Sequence, residues 1–357
     1  MHLHFFHNIN FGSVPFTQLD LVVCLLIGLA LAFDFLNGFH DAANSVATVV
    51  STRVLSPQIA VIWAAFFNFV AFLMFSLSVA ATMGTGIITP SIVNNQVIAA
   101  TLIAACAWDL LTWYWGLPTS SSHALIGGMV GAALMRYLID SPSSPSPFLW
   151  AGIGKTVLFL VLAPAIGLVT GVAAGSLMAW LFRHTAPRRV ETIFRRGQLI
   201  SAALYSLGHG GNDAQKTMGI IFLLLIAASQ EGRAFNTPEQ VPTEVVLACH
   251  LAMGLGTLFG GWRIVKTMGQ KIIKLRPVDG FCAETAAAVT LYLTIFGGIP
   301  VSTTHTITGA IVGVGSLKRV RAVRWHIAGR VVWAWVLTIP GAGILACMTW
   351  WLLNWIA

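Results

Sequence analysis

Two stretches, Asn37-Gly38-Phe39-His40-Asp41-Ala42-Ala43-Asn44-Ser45 and His209-Gly210-Gly211-Asn212-Asp213-Ala214-Gln215-Lys216-Thr217, decide how this chain is read. Each sets glycine, asparagine and an acid inside an otherwise apolar segment. Aligning Asp41 with Asp213 also pairs Gly38 with Gly210, Ala42 with Ala214 and Ser45 with Thr217. A second pair follows in the same order and at a similar separation: Gly116-Leu117-Pro118-Thr119-Ser120-Ser121-Ser122-His123, and Gly298-Ile299-Pro300-Val301-Ser302-Thr303-Thr304-His305. Two unrelated motifs repeated in order argue for an internal duplication.

The surroundings of these motifs fix the class. Of 357 residues, 57% are hydrophobic and 9% charged, against roughly 25% charged in a typical globular chain. Apolar runs long enough to cross a hydrocarbon core of about 30 Å as helices recur along the length. The expected spans are 19–51, 58–82, 96–116, 119–138 and 148–182, then 199–229, 243–262, 278–297, 301–317 and 325–356. The sequence therefore predicts an all-α polytopic membrane protein and excludes a water-soluble enzyme. The net charge of +8 comes from short basic connections with no interleaved aromatic stripe, so no nucleic-acid partner is expected. Cys24, Cys106, Cys249, Cys282 and Cys347 are scattered singly, which indicates neither disulfides nor a zinc site. No cofactor or resident metal is expected. His2, His4 and His7 lie in a tail without a basic n-region or a small-residue cleavage site, so no removable signal peptide is expected.

Three basic clusters set the orientation. Arg183 to Arg196, Lys266 to Arg276 and Lys318 to Arg324 are expected on the cytoplasmic side. The Ser/Pro run 140–147 fits the outside, as does 230–244, where Glu231, Glu239 and Glu244 face only Arg233. Arg136, near an outer end, argues against the scheme. The chain then divides into an extracytoplasmic tail (1–18), a first transmembrane repeat (19–182), a basic cytoplasmic linker (183–198) and a second repeat (199–356). Span 19–51 runs inward and 199–229 outward, so the halves are expected to be inverted-topology repeats.

Glycine and Asn/Asp inside an apolar run predict an interrupted helix at each first motif. Free N–H groups at the start of the second half-helix would favour an anion. Asp41 and Asp213 cannot face lipid, because an acid at mid-membrane costs about 2.5–3.5 kcal/mol even on insertion scales. They must face a cavity, a cation or each other. In the second motifs Pro118 and Pro300 stop the preceding helix, and Ser120, Ser121, Ser122 and Ser302, Thr303, Thr304 follow as neutral donors suited to an oxyanion. Ser120 or Ser302 can cap a helix, but three hydroxyls in a row, twice, exceed what capping needs. Hydropathy leaves open whether 96–138 and 278–317 are full spans or re-entrant hairpins. Asp34, Asp109 and Glu284 are further intramembrane acids, and His123 and His305, which close the hydroxyl motifs, fit packing as well as proton transfer. No G-x-x-x-x-G-K-S/T sequence is present, so nucleotide-driven pumping by this chain alone is not expected.

On these four motifs, over both halves from about residue 19 to 356, the sequence resembles the inorganic phosphate transporter (PiT) family, in particular its bacterial low-affinity branch. The resemblance implies a homodimeric symporter of the bacterial inner membrane, with inverted repeats, broken helices and two paired helical hairpins. Such a protein moves inorganic phosphate, alone or as a metal–phosphate complex, by alternating access. The family's site roles fall on Asp41, Asn44, Ser45, Asn212, Asp213 and Thr217, and on Ser120, Ser121, Ser122, Ser302, Thr303 and Thr304 at the hairpin tips. His40 and Lys216 join them by position: Lys216 with the substrate contacts, His40 with the coupling-cation contacts Asp41, Asp213, Ser45 and Thr217.

This sequence also departs from the family pattern. His40 precedes Asp41 where many sodium-coupled members carry Asn, and Gln215-Lys216 replaces a small residue followed by Asn. Lys216 lies three residues after Asp213, on the same helix face, and can neutralise it where a sodium ion would otherwise sit. Asp41, beside His40, is then the better placed to exchange a proton. Coupling to H⁺ is expected, with Na⁺ as the alternative. The rival readings are a sodium-coupled phosphate or sulfate permease and an integral-membrane enzyme acting on phosphorylated lipid. An enzyme would gather its groups near one interface instead of repeating them in both halves.

Overall fold

The computed structural model describes residues 21–140, 145–230, 241–318 and 320–356. The tail histidines His2, His4 and His7, together with Glu231, Arg233, Glu239 and Arg319, lie outside the described residues.

The apolar runs form helices, and their order repeats. In the first half these are α1 (Leu21–Ser51), α2 (Pro57–Val70), α3 (Ser78–Thr85), α4 (Asn95–Trp115), α5 (Ser121–Asp140) and α6 (Trp150–Leu181). In the second they are α7 (Pro187–Gln230), α8 (Thr243–Phe259), α9 (Trp262–Lys266), α10 (Pro277–Phe296), α11 (Thr303–Lys318) and α12 (Trp325–Ile356). No multi-residue strand occurs among the described residues. Six helices are long and apolar enough to cross a membrane, or eight if each of two bent pairs counts as one span. The 16 residues of α11 reach only about 24 Å at 1.5 Å per residue, short of a full hydrocarbon core. Much of the basic stretch is helical, since α7 already begins at Pro187. Arg136 is accommodated locally: it donates to the Ile92 carbonyl at 2.7 Å and faces Asp140 at 3.6 Å.

The breaks fall one element later than expected. α1 and α7 run through Gly38 and Gly210 without interruption. Those glycines serve close packing instead: a Cβ on Gly38 would strike the Met253 carbonyl of α8, and one on Gly210 the backbone of Asn68 in α2. An unbroken helix uses its own amides, so backbone N–H groups beside Asp41 and Asp213 are not free for an anion. The actual bends lie between α2 and α3 (83°) and between α8 and α9 (60°). Gly260, at φ +63°, permits the second, and a π-helical turn, Thr267–Lys271, extends α9. The first is held by Gln215, whose Oε1 accepts from the Val79 and Ala80 amides while its Nε2 donates to the Ser76 carbonyl.

The halves interlock reciprocally. α5 packs on α12 and α11 on α6; α1 packs on α8 and α7 on α2; α1 also meets α4 as α7 meets α10. α6 turns most of its surface outward, as a lipid-facing helix does, with only Thr156, Ala163, Gly167 and Gly171 buried. In α1, by contrast, nearly every residue from Asn37 to Val49 is buried, so the polar motifs lie at the centre of the bundle.

Candidate functional site

Four elements converge on that centre: the middles of α1 and α7 and the N-termini of α5 and α11. Pro118 and Pro300 end the approach to each hairpin tip, and the next serine caps. Ser120 Oγ accepts from the His123 amide and Ser302 Oγ from the His305 amide, both at 3.2 Å. These two serines therefore do the capping that sequence alone allowed them. The following residues, Ser121, Ser122, Thr303 and Thr304, are buried, and helix geometry leaves first-turn amides without intrahelical partners.

Side chains from both halves then interlock. Thr303 donates to Asp213 Oδ2 at 2.9 Å and Thr304 to Asp41 Oδ2 at 3.2 Å. Asn44 Nδ2 donates to the Thr304 and Thr303 hydroxyls at 2.9 and 3.3 Å. Lys216 Nζ contacts Asp213 Oδ1 at 2.5 Å and donates to Ser122 Oγ at 2.6 Å and to the Val301 carbonyl at 2.7 Å. One buried ammonium thus touches both hairpins and one aspartate. His40 Nδ1 lies 2.7 Å from Asp41 Oδ1, and its Nε2 lies 3.1 Å from Thr112 Oγ1.

Of the expected residues, Asp41, Asn44, His40, Asp213, Lys216, Ser122, Thr303 and Thr304 form this connected network. Ser45, Asn212, Thr217 and Ser121 lie buried beside it with side-chain atoms that have no hydrogen-bond partner. Buried polar atoms are normally satisfied, so such a concentration at one place suits a site that receives something polar. His209 was not among the expected contacts, yet its Nε2 lies 3.2 Å from Asp213 Oδ2. Its position four residues before Asp213 was the available signal. Asp41, His209 and Asp213 each offer a ligand atom, all within 4.8 Å of one another, close enough to share a cation. Tyr205, one turn earlier, donates to the Thr303 carbonyl at 3.3 Å.

Each hairpin loop is also latched by the other half. Thr82 of α3 donates to the Gly298 carbonyl at 2.8 Å, and Thr267, just beyond α9, to the Gly116 carbonyl at 2.9 Å. Gly116 and Gly298 both adopt positive φ, 64° and 60°, which favours glycine at these turns. Beyond the tips, His123 and His305 meet edge to face at 4.8 Å, and His305 stacks on Trp335 at 3.9 Å.

Known proteins resemble this chain in sequence and in fold. The pattern of the phosphate transporter family matches residues 37–346. The chain belongs to that family. A probable low-affinity inorganic phosphate transporter of Rhizobium meliloti (strain 1021) is 57% identical over 90% of this chain and 94% of its own. Another, from Bacillus subtilis (strain 168), is 43% identical over 94% and 98%. A solved structure described as the sodium-dependent phosphate transporter superposes with TM-score 0.84 at 24% identity, over 94% of this chain and all of that one, and shows that the fold is shared. The resemblance drawn from the four motifs is borne out, and this transporter is an integral membrane protein whose matched family and relatives are described as transporters.

Proposed function

We propose that this transporter carries inorganic phosphate into the cell by proton-coupled alternating access, with its two halves inverted in the membrane. Phosphate is held between the hairpin tips by Ser121, Ser122, Thr303, Thr304 and the first-turn amides of α5 and α11, with Ser120 and Ser302 shaping the turns. Asn44, Asn212 and Lys216 complete the cradle. Asp41, with His40 and Ser45, and Asp213, with Thr217, link the coupling ion to it.

The observation that carries this reading is that the hydroxyls meant for phosphate are shared with the aspartates. Thr303 and Thr304 each have one proton to donate, and both now donate to Asp213 and Asp41. When a coupling proton weakens the carboxylates as acceptors, those donors can turn to the anion. Cation and phosphate binding thereby favour each other, as symport requires. Lys216 supports protons over sodium: its ammonium already compensates Asp213, and a second fixed cation beside it would be repelled.

The sodium-coupled reading keeps two supports, the closeness of Asp41, His209 and Asp213 and the description of the solved structure that shares this fold as a sodium-dependent phosphate transporter. The same three groups suit a divalent ion travelling with phosphate as cargo. The reading also includes a homodimer in the inner membrane. Uptake of labelled phosphate into proteoliposomes, with pH and sodium gradients imposed separately, tests the coupling. Uptake that needs sodium and ignores pH would refute it.

A further inference from the structure

Asp34 takes part in none of the contacts described above. It lies on α1 two turns before Asp41, about 10 Å along the axis, is fully buried, and neither carboxylate oxygen has a hydrogen bond of acceptable geometry. Its polar neighbours are Asn37 on α1, Thr217 on α7 and Cys249 on α8, and the charged group that faces it is Asp213 on α7. No lysine, arginine or histidine is among them. Asn37 Oδ1 and Thr217 Oγ1 are also buried without partners.

The other buried acids near the centre are provided for. Asp41 has His40 and Thr304, and Asp213 has Lys216 and Thr303. Asp109, whose oxygens are likewise without a hydrogen-bond partner, differs from Asp34 in facing the His40 imidazole. Glu284 accepts from Ser201 at 2.5 Å and from Gln198 at 2.9 Å. An uncompensated carboxylate in a membrane interior is strongly disfavoured, so Asp34 is the acid that calls for a proton.

We propose that Asp34 carries the coupling proton, outside the phosphate cradle. This rests on the proton-coupled reading above and moves the carrier from Asp41 to Asp34. Charged, Asp34 would set a second negative charge facing Asp213, and the site would resist an entering anion. Neutral, it leaves the Asp213–Lys216 pair balanced and the cradle receptive. The proton comes from water on the side where phosphate enters, rests on an Asp34 oxygen, and returns to water on the other side as phosphate leaves. The duplication gives this role to one half only, because the position matching Asp34 is Ser206.

The test separates phosphate–phosphate exchange, which needs the cradle, from net accumulation, which needs the proton. In proteoliposomes with an inward proton gradient, the parent accumulates labelled phosphate. Asp34→Asn should lose accumulation but keep exchange at a rate comparable to the parent, whereas Asp41→Asn should lose both. Asp34→Ser, which copies the other half, gives the same readout if the first variant does not fold, and Asp34→Glu should retain proton drive. Either neutral variant that still accumulates phosphate on the proton gradient overturns the proposal, as does one that loses exchange while melting like the parent. A parent driven by sodium alone would instead remove the proton-coupled reading itself.

Discussion

Lys216→Asn is the most informative single change, because Asn44 occupies the matching position in the first half and the substitution makes the two motifs alike. In the parent the ammonium is buried and bound to Asp213, Ser122 and the Val301 carbonyl. Removing one partner of a buried ion pair leaves the other charge uncompensated and costs about 3–5 kcal/mol. Losing the bridge between the hairpins adds to this, so the variant should melt well below the parent when sodium is replaced by choline. If the lysine stands where a sodium ion would bind, sodium should restore stability: at a concentration about one hundred times its dissociation constant, a ligand of the folded state contributes about 2.7 kcal/mol. Thermal melts in sodium and in choline, together with uptake under separate pH and sodium gradients, read this directly. The expected variant is sodium-stabilised and either inactive or sodium-dependent. A variant that melts like the parent in both salts and still transports on a proton gradient would leave the lysine without the role argued here.

The remaining expectations concern the cradle and its latches. Ser121→Ala and Thr303→Ala each delete a donor without adding bulk, and losing a hydrogen bond to a charged group costs about 1.5–3 kcal/mol; apparent phosphate affinity should fall roughly ten- to a hundredfold, and unchanged uptake in both would return the hydroxyl motifs to capping. Ser120→Ala should lower stability by about 0.5–2 kcal/mol through loss of a cap, with affinity nearly intact; a large affinity loss at unchanged stability would contradict the capping assignment. A large excess of sulfate should not inhibit phosphate uptake, because phosphate near neutral pH can donate as well as accept whereas sulfate only accepts; equal competition would refute the substrate assignment. Thr82→Val and Thr267→Val each break a latch on the opposite half's hairpin; with the halves inverted as proposed, labelling of an introduced cysteine at the site by a membrane-impermeant reagent should rise from opposite faces in the two variants, and a rise from the same face in both would refute that arrangement of the latches.

Much of the architecture was legible because it depends on patterns that sequence carries directly. The apolar runs located most helices to within a few residues, although α7 begins twelve residues before the expected span and the run 58–82 divides into α2 and α3, and the duplicated motifs identified both the family and the residues that meet at the centre. The helix breaks were misplaced for a physical reason. A glycine beside Asn or Asp signals either an interruption or a close helix contact, and sequence does not show which helix arrives. At Gly38 and Gly210 the neighbours are α8 and α2, so the glycines admit packing, while the bend between α2 and α3 has no glycine and depends on Gln215, more than one hundred positions away. Gln215, read from sequence only as a departure from the family pattern, turns out to be a cap for another segment. His209 was missed because histidine in an apolar run is as often packed as functional, and its distance to Asp213 is visible only in three dimensions.

The duplication gives this transporter two similar clusters, and its function depends on where they differ. Matching Asp41 with Asp213 also sets Asp34 against Ser206, Asn37 against His209, His40 against Asn212 and Asn44 against Lys216. Every one of these pairs changes charge or the capacity to hold a proton. The hydroxyls differ far less: Ser45 faces Thr217, and Ser121-Ser122 face Thr303-Thr304. Phosphate can therefore meet comparable donors from both hairpins, which suits a substrate exposed alternately to the two sides. On the proposed reading the coupling ion, in contrast, would meet an already neutralised aspartate in one half and unpaired acid capacity in the other. A symmetric pair of charged sites would bind two equivalent cations, whereas one internal ion pair plus one free carboxyl needs only a single mobile charge. On the proton-coupled reading proposed above, the cradle is similar in both halves because both would grip the same anion, and the charges diverge because only one route for the proton would be needed.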